Sequence, residues 1–194
     1  MKNSLVVLAV LAVLALVGYT SYNGLVTSRN AVEEQWADVQ AVYEKRSALI
    51  PNLVETVKGA KNHEKETLES VMEARAKATS ITVDPSNITP EKMAEISQAQ
   101  NGLSGALGRL MATVENYPDL KVNQNFLALQ TELTGIENEI LKERKDFNEM
   151  GRIYKDKIEQ FPGNIFANIF NFKAFPLFQA SQGSEVAPQV NFNK

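Results

Sequence analysis

No charged residue stands between Lys2 and Arg29, and residues 5–19 form an unbroken apolar run. About 20 mostly apolar residues cross a bilayer as a helix. Residues 3–22 supply that length, with Thr20, Ser21 and Tyr22 at the headgroups. A cleaved secretory signal is the competing reading, since Met1, Lys2 and Asn3 make a passable charged start. Cleavage requires small residues at the site, and the chain offers Leu16, Val17, Gly18 and Tyr19 instead. There is no cysteine to acylate, which excludes a lipoprotein anchor. Residues 1–22 are therefore read as a retained single-pass anchor. Lys2 and the amino terminus lie on one side and only Arg29 close by on the other. That bias points to a cytoplasmic N-terminus, with the bulk of the chain on the non-cytoplasmic side of a bacterial inner membrane.

Beyond the anchor the chain has the length of one domain. Over the 194 residues, 20 bases and 23 acids leave a net charge of −3, and the two signs are interleaved. No basic face that would neutralise phosphates is visible, so nucleic acid is not expected as a partner. The absence of cysteine excludes disulfides, thiolate metal sites and cysteine nucleophiles. The single histidine, His63, cannot build a two-histidine zinc helix, because the sequence reads His63-Glu64-Lys65-Glu66-Thr67. Nor does it complete a Glu-x-x-His pair, since Ala60 stands three residues before it. His63 reads as a solvated side chain on a charged helix. No catalytic, metal or cofactor-binding residues are assigned, and the chain reads as a non-enzyme.

Almost everything after the anchor has helical periodicity, and almost nothing alternates. A stripe runs through Leu25, Val32, Trp36, Val39, Tyr43 and Ile50, and continues in phase through Leu53, Val57, Ala60, Leu68 and Val71. Pro51 interrupts it. Proline disfavours helix at the preceding residue and suits a first turn, so a break near Leu49 is expected, with a kinked continuous helix as the alternative. Residues 79–89 read as a loop, with Asp84-Pro85-Ser86-Asn87 as turn chemistry and Thr89-Pro90-Glu91 as the start of the next helix. The next stripe is Met93, Ile96, Gln100, Leu103, Leu107, Leu110, Val114 and Tyr117. Gly102, Gly105 and Gly108 lie along it and read as a smooth face for close helix contact, in preference to a phosphate loop. Asp119 is placed to cap the helix that follows. That last helix carries Phe126, Leu129, Leu133, Ile136, Ile140, Glu143, Phe147, Met150, Tyr154, Ile158 and Phe161. At roughly 60 Å it exceeds neighbours of roughly 40 Å and is expected to overhang them.

Several features exceed ordinary packing. Arg29, Arg46, Glu64, Arg75 and Glu143 fall on apolar stripes. Buried charges persist when paired, so these read as a polar seam of interhelical ion pairs, with a ligand or partner patch as the alternative. Residues 161–178 hold six of the nine phenylalanines. Ile165, Phe166, Ile169 and Phe170 share one face of a short helix there, and with Phe172 they form a candidate membrane or partner contact. A lid over the bundle end is the other reading. Trp36 reads as core, and residues 180–194 as a poorly ordered tail.

The residues also resemble a known family. The likeness begins with Tyr22-Asn23, Leu25-Val26, Arg29-Asn30 and Trp36. It is sharpest at Arg46 and at Leu49-Ile50-Pro51-Asn52-Leu53-Val54-Glu55-Thr56-Val57-Lys58-Gly59, followed by His63-Glu64 and Ala74-Arg75. It resumes at Leu110, Glu115, Tyr117-Pro118-Asp119-Leu120-Lys121, Asn125-Phe126 and Glu137-Asn138, and closes with Arg144, Asn148, Tyr154, Phe161-Pro162 and Phe172. On these residues the chain resembles the LemA family of bacterial membrane proteins. Departures are small: the family often has Tyr-Asn at Phe147-Asn148 and at Tyr154-Lys155, and usually glycine at Asn171. The resemblance implies a membrane-tethered four-helix bundle, which supports a break at Pro51, and brings no agreed activity or catalytic residues. Genes of the family often neighbour those of membrane-linked metalloproteases, and a distant branch is tied to shaping magnetosome membranes. The expected architecture is thus all-α: an anchor at 1–22, an antiparallel four-helix bundle at 23–162, a Phe-rich amphipathic segment at 163–179 and a tail at 180–194. The expected partners are the lipid bilayer and a membrane or membrane-proximal protein.

Overall fold

The computed structural model describes residues 2–60 and 65–179, which contain no strand. Helix α1 spans Lys2–Ala60, α2 Lys65–Thr79, α3 Pro90–Val114, α4 Pro118–Lys121, α5 Gln124–Glu159 and α6 Gly163–Ile169. His63, Glu64 and the tail at 180–194 lie outside the described residues.

The expected break at Pro51 does not occur. Proline sits inside an uninterrupted α1 of 59 residues, a rod of about 88 Å. Two physical reasons account for it. A proline in a helix interior costs about 3 kcal/mol, whereas burying Ile50, Leu53 and Val57 on one continuous face returns about 1.5–3 kcal/mol per side chain. The second reason is local. Proline lacks the N–H that would bond the carbonyl four residues back, here that of Ser47. Arg75 on α2 donates its Nε to that Ser47 oxygen at 2.8 Å. The orphaned acceptor therefore becomes an interhelical contact.

The first third of α1 is long and apolar enough to cross a membrane, and none of its most apolar window is buried by the protein. Further along, α5 packs antiparallel to α1: Ser28 meets Lys157, Gln35 meets Glu143, and Arg46 meets Glu137. Helices α2 and α3 form a second close pair, and α2 also lies against α1. In the connection between them Asp84 accepts from the Ser86 amide at 2.9 Å, and Thr89 caps α3 by accepting from the Lys92 amide at 3.2 Å. Asp119 does not cap α5; it lies in the first turn of α4. Asn123 is the cap, accepting from the amides of Asn125 and Phe126 at 3.0 and 3.1 Å.

Most of the stripe positions read from the sequence form the core, with Leu25, Val32, Trp36, Val39, Ile96, Leu103, Leu110, Ile136 and Phe147 all buried; Phe161 does not, because α5 ends at Glu159 and leaves it exposed. Two other expectations fail. Gly102, Gly105 and Gly108 face solvent, and a Cβ at Gly102 or Gly108 would meet nothing within 4 Å, so they are not a helix-contact surface. Helix α5 does not overhang a shorter bundle either. An unbroken α1 accompanies it, and the extended segment at 171–179 covers the groove beyond the reach of α2 and α3, placing Phe172, Phe175, Leu177 and Phe178 against the core.

Candidate functional site

Helix α6 follows the turn at Gly163, where a Cβ would lie 2.1 Å from the Lys157 carbonyl oxygen; only glycine lets the chain fold back so tightly. The turn brings α6 against the end of the apolar run on α1. A Cβ added to Gly18 would stand 3.1 Å from the Phe166 ring, and Ala167 is buried. Tyr22 makes edge contacts with Phe170 and Phe172 at centroid distances of 4.8 and 5.8 Å. On the outer side Phe161 is 80% exposed, Ile169 66%, Phe170 53% and Ile165 47%. The five candidate contact residues thus divide. Ile165 and Ile169 face outward beside the end of the apolar run, Phe166 and Phe172 pack on α1, and Phe170 does both, half exposed while its ring meets Tyr22.

Beyond α6 the chain reverses at Asn171, whose φ of 57° lies in the left-handed region. Asparagine tolerates that conformation, and glycine would adopt it at no cost. From there the segment runs back along α5 as a strap. Phe172 lies under Arg29, whose guanidinium carbon is 5.6 Å from the ring centroid. Phe175 packs on Tyr154. Leu177 sits over Gly151, where a Cβ would approach it to 2.5 Å. Phe178 stacks on Trp36 at 6.0 Å and meets Phe147 edge-on at 5.5 Å. Asn148 fastens the end of the strap: its Nδ2 donates to the Phe178 carbonyl at 2.9 Å and its Oδ1 accepts from the Phe178 amide at 2.8 Å. Trp36, read as core, is therefore the joint where the upper helices and the strap meet.

The charged stripe residues do not form one network. Arg46 is 1% exposed and pairs with Glu137 of α5 at 2.7 Å while donating to Ser104 at 2.8 Å and to the Gln100 amide oxygen. It joins α1, α3 and α5. Glu143 accepts from Gln35 at 2.6 Å and pairs with its neighbour Lys142 at 2.8 Å. Arg29 pairs with Glu33 one turn on, at 3.4 Å. Arg75 fills the Ser47 carbonyl, and Glu64 lies outside the described residues. Among the described members of the set, Arg46 alone makes an ion pair between helices.

Asn148 is among the residues that carry the family resemblance, with no role attached to it there; an asparagine next to Phe147 in mid-helix is itself a signal, since asparagine is a poor helix former. Arg144 likewise carries the resemblance, and nothing in its spacing gives it a role. It donates to the Tyr43 hydroxyl at 2.8 Å and lies 5.0 Å over the Phe178 ring. Burial pushes the Tyr43 phenol above its ordinary 10.0, against the opposing pull of the Arg144 guanidinium; burial raises Tyr154 likewise. Among the described residues no three His, Cys, Asp or Glu side chains gather as metal ligands would. An open cavity of about 260 Å³ lies beside Trp36, Tyr43, Glu44, Ser47, Thr79 and Gln100.

Comparison with known proteins bears on this arrangement. The sequence profile of the LemA family matches residues 35–192. Protein LemA of Metamycoplasma hominis is 28% identical over 160 residues, which is 82% of this chain and 69% of that protein. Magnetosome protein MamQ 2 of Paramagnetospirillum magneticum is 34% identical over 95 residues, 47% of this chain and 35% of its own length. Magnetosome protein MamQ of Magnetospirillum gryphiswaldense is 32% identical over the same 47% and 35%. This chain thus spans about a third of the magnetosome proteins, and their similarity is confined to half of it. The profile match covers most of the chain, from within α1 through the Arg46 junction and Pro51 to the strap, and on that ground the chain belongs to the LemA family.

Proposed function

We propose that this protein is a non-enzymatic scaffold held by one membrane-spanning helix. It presents a four-helix arrangement of α1, α2, α3 and α5 to a membrane or membrane-proximal protein partner, of which a membrane-linked metalloprotease system is one candidate. In this reading residues 1–22 cross the bacterial inner membrane and the bundle stands on its non-cytoplasmic side. The observation that carries it is the continuity of α1: one rod joins the apolar run to the buried stripe without a hinge. A stiff stalk fixes the distance and orientation of the bundle over the bilayer, which serves a platform more than a diffusing catalyst. The lone histidine and the absence of cysteine support the non-enzymatic part. Affinity capture of the full chain against an anchor-only control tests the scaffold. Failure to enrich any protein reproducibly over that control counts against it. Protease protection of the bundle in spheroplasts tests the side.

A second reading, lipid contact through the Phe-rich segment, is favoured by a specific placement. Ile165, Ile169 and Phe170 are exposed beside Gly18 and Tyr22, where the bilayer interface falls if residues 3–22 span it. The chain has no cysteine, so a single Ile169→Cys nitroxide in the full chain reports depth directly. In vesicles it is expected to collide with oxygen and be shielded from a water-soluble nickel chelate. A label at Leu141, 63% exposed on α5, is expected to show the reverse. Equal nickel access at the two sites removes this reading.

A further inference from the structure

A notch of about 210 Å³ opens between α1 and the junction of α5 with α6, lined by Ser21, Gly24, Leu25, Lys157, Gln160 and Phe161 among others. Its depth is set by α1. Ser21 and Leu25 stand two and six residues past residue 19, where the apolar run ends, or about 3–9 Å along the helix. The headgroup layer occupies about 5–8 Å on each side of the hydrocarbon. Lys157 is the charged residue of its lining, with its ammonium resting on Ser28 just outside the notch. Elsewhere on α5 Lys142, Arg152 and Lys155 pair with acids, whereas among the described residues Lys157 has no carboxylate partner and donates instead to the Ser28 hydroxyl. The rim is oily: Phe161 projects almost free of the protein. A cation, a hydroxyl and a side-chain amide around one cavity, with an aromatic ring at its lower edge, match the polar and apolar halves of a phospholipid.

We propose that this notch seats the phosphate of one anionic phospholipid headgroup. Lys157 is its cationic partner, Ser21 and Gln160 are hydrogen-bond donors, and Phe161 lies against the glycerol and upper acyl region. The assignment deepens the lipid-contact reading and rests on it. A lipid is favoured over free phosphate because the cavity lies just past the end of the apolar run on α1 and most of its exposed lining is apolar. The site would add a chemical preference to an otherwise indiscriminate anchor: anionic lipid would be drawn to the foot of the stalk.

The test uses the full chain in mild detergent, with bound lipid counted by native mass spectrometry after addition of phosphatidylglycerol or phosphatidylcholine. A lysine at the membrane surface favours anionic lipid by about fivefold, and that preference is expected in the native chain and in Lys157→Arg. It is expected to vanish in Lys157→Gln. It should vanish also in Gly24→Leu, which fills the notch from a position where a Cβ meets nothing within 4 Å. Unchanged Trp36 emission shows that both variants are folded. A preference that survives Lys157→Gln overturns the proposal. So does inorganic phosphate that abolishes the preference while binding in a Lys157-dependent way, since the site would then take the free anion. The Ile169 nitroxide separates the two failures: a label immersed in the bilayer with no Lys157 effect sinks the headgroup site alone, and a label in water sinks the contact beneath it.

Discussion

Asn148 carries more of this structure than its residue type suggests. Its side-chain amide pairs with both backbone groups of Phe178, as a neighbouring strand would, and so holds the strap end without a sheet. Two neutral hydrogen bonds contribute about 1–3 kcal/mol together. Asn148→Ala is expected to lower stability by about that amount and to free Phe178 from Trp36. Because Trp36 is the one tryptophan and stacks on that ring, its emission should shift to the red, which steady-state fluorescence reads. Tyr43 offers a pH prediction. Its phenol keeps its proton in the folded chain past the ordinary 10.0, while the unfolded chain ionises there. The folded state then holds more protons, so stability falls as pH rises above about 10. Replacing Tyr43 by phenylalanine should flatten that alkaline decline in denaturant titrations, after a fixed loss from the abandoned Arg144 bond.

At the level of elements, α1 shows how a helix absorbs a proline when a neighbour takes over the freed carbonyl. The pairing of Pro51 with Arg75 is testable as a double-mutant cycle. Arg75→Met should cost about 1–3 kcal/mol in the native chain, by stranding the Ser47 oxygen. In a Pro51→Ala background the restored amide bonds that oxygen, so the same change should cost about 1 kcal/mol less. Equal costs in both backgrounds would separate the two residues. Helix α3 makes the opposite case. Its three exposed glycines support no contact among the described residues, and each forfeits up to about 1 kcal/mol against alanine. Replacing all three by alanine is expected to raise stability by about 2–3 kcal/mol in thermal or chemical unfolding followed by circular dichroism. A loss instead would mean that this face is used by something.

The molecule as a whole has two storeys. Above Trp36, α2 lies against α1 and α3 against α2, with Arg46 reaching from α1 to α3 and α5; below it the α1–α5 pair carries the strap and α6. Gly151 is the control point of the lower storey, since Leu177 occupies the space where its side chain would be. Gly151→Leu is expected to displace the strap, speed limited proteolysis within 171–179, and shift Trp36 emission. Protection of the α2–α3 pair should be unchanged in hydrogen exchange. Loss of protection in both storeys would show that they unfold as one unit.

Periodic apolar positions fall on one face whatever their partner, so the helices, their buried stripes and the family were legible in the residues alone. The cap at Thr89 was legible too, because capping is a contact between neighbours in sequence. The polar seam was legible only as a set of misplaced charges. Which of them pair depends on what α2, α3 and α5 bring opposite, as Gln100, Ser104 and Glu137 do for Arg46. The Pro51 break failed for the same cause, since the residue that makes the proline tolerable lies on another helix. The Phe-rich segment read as one unit and proved to be two, divided at a single left-handed residue. Local composition thus decided that this chain has a membrane-length apolar start and helical faces to bury. The tertiary structure decided that the start runs unbroken into the bundle, and which aromatic rings close the groove and which face outward. Those outcomes turn on contacts between residues far apart in the chain, which no periodicity encodes.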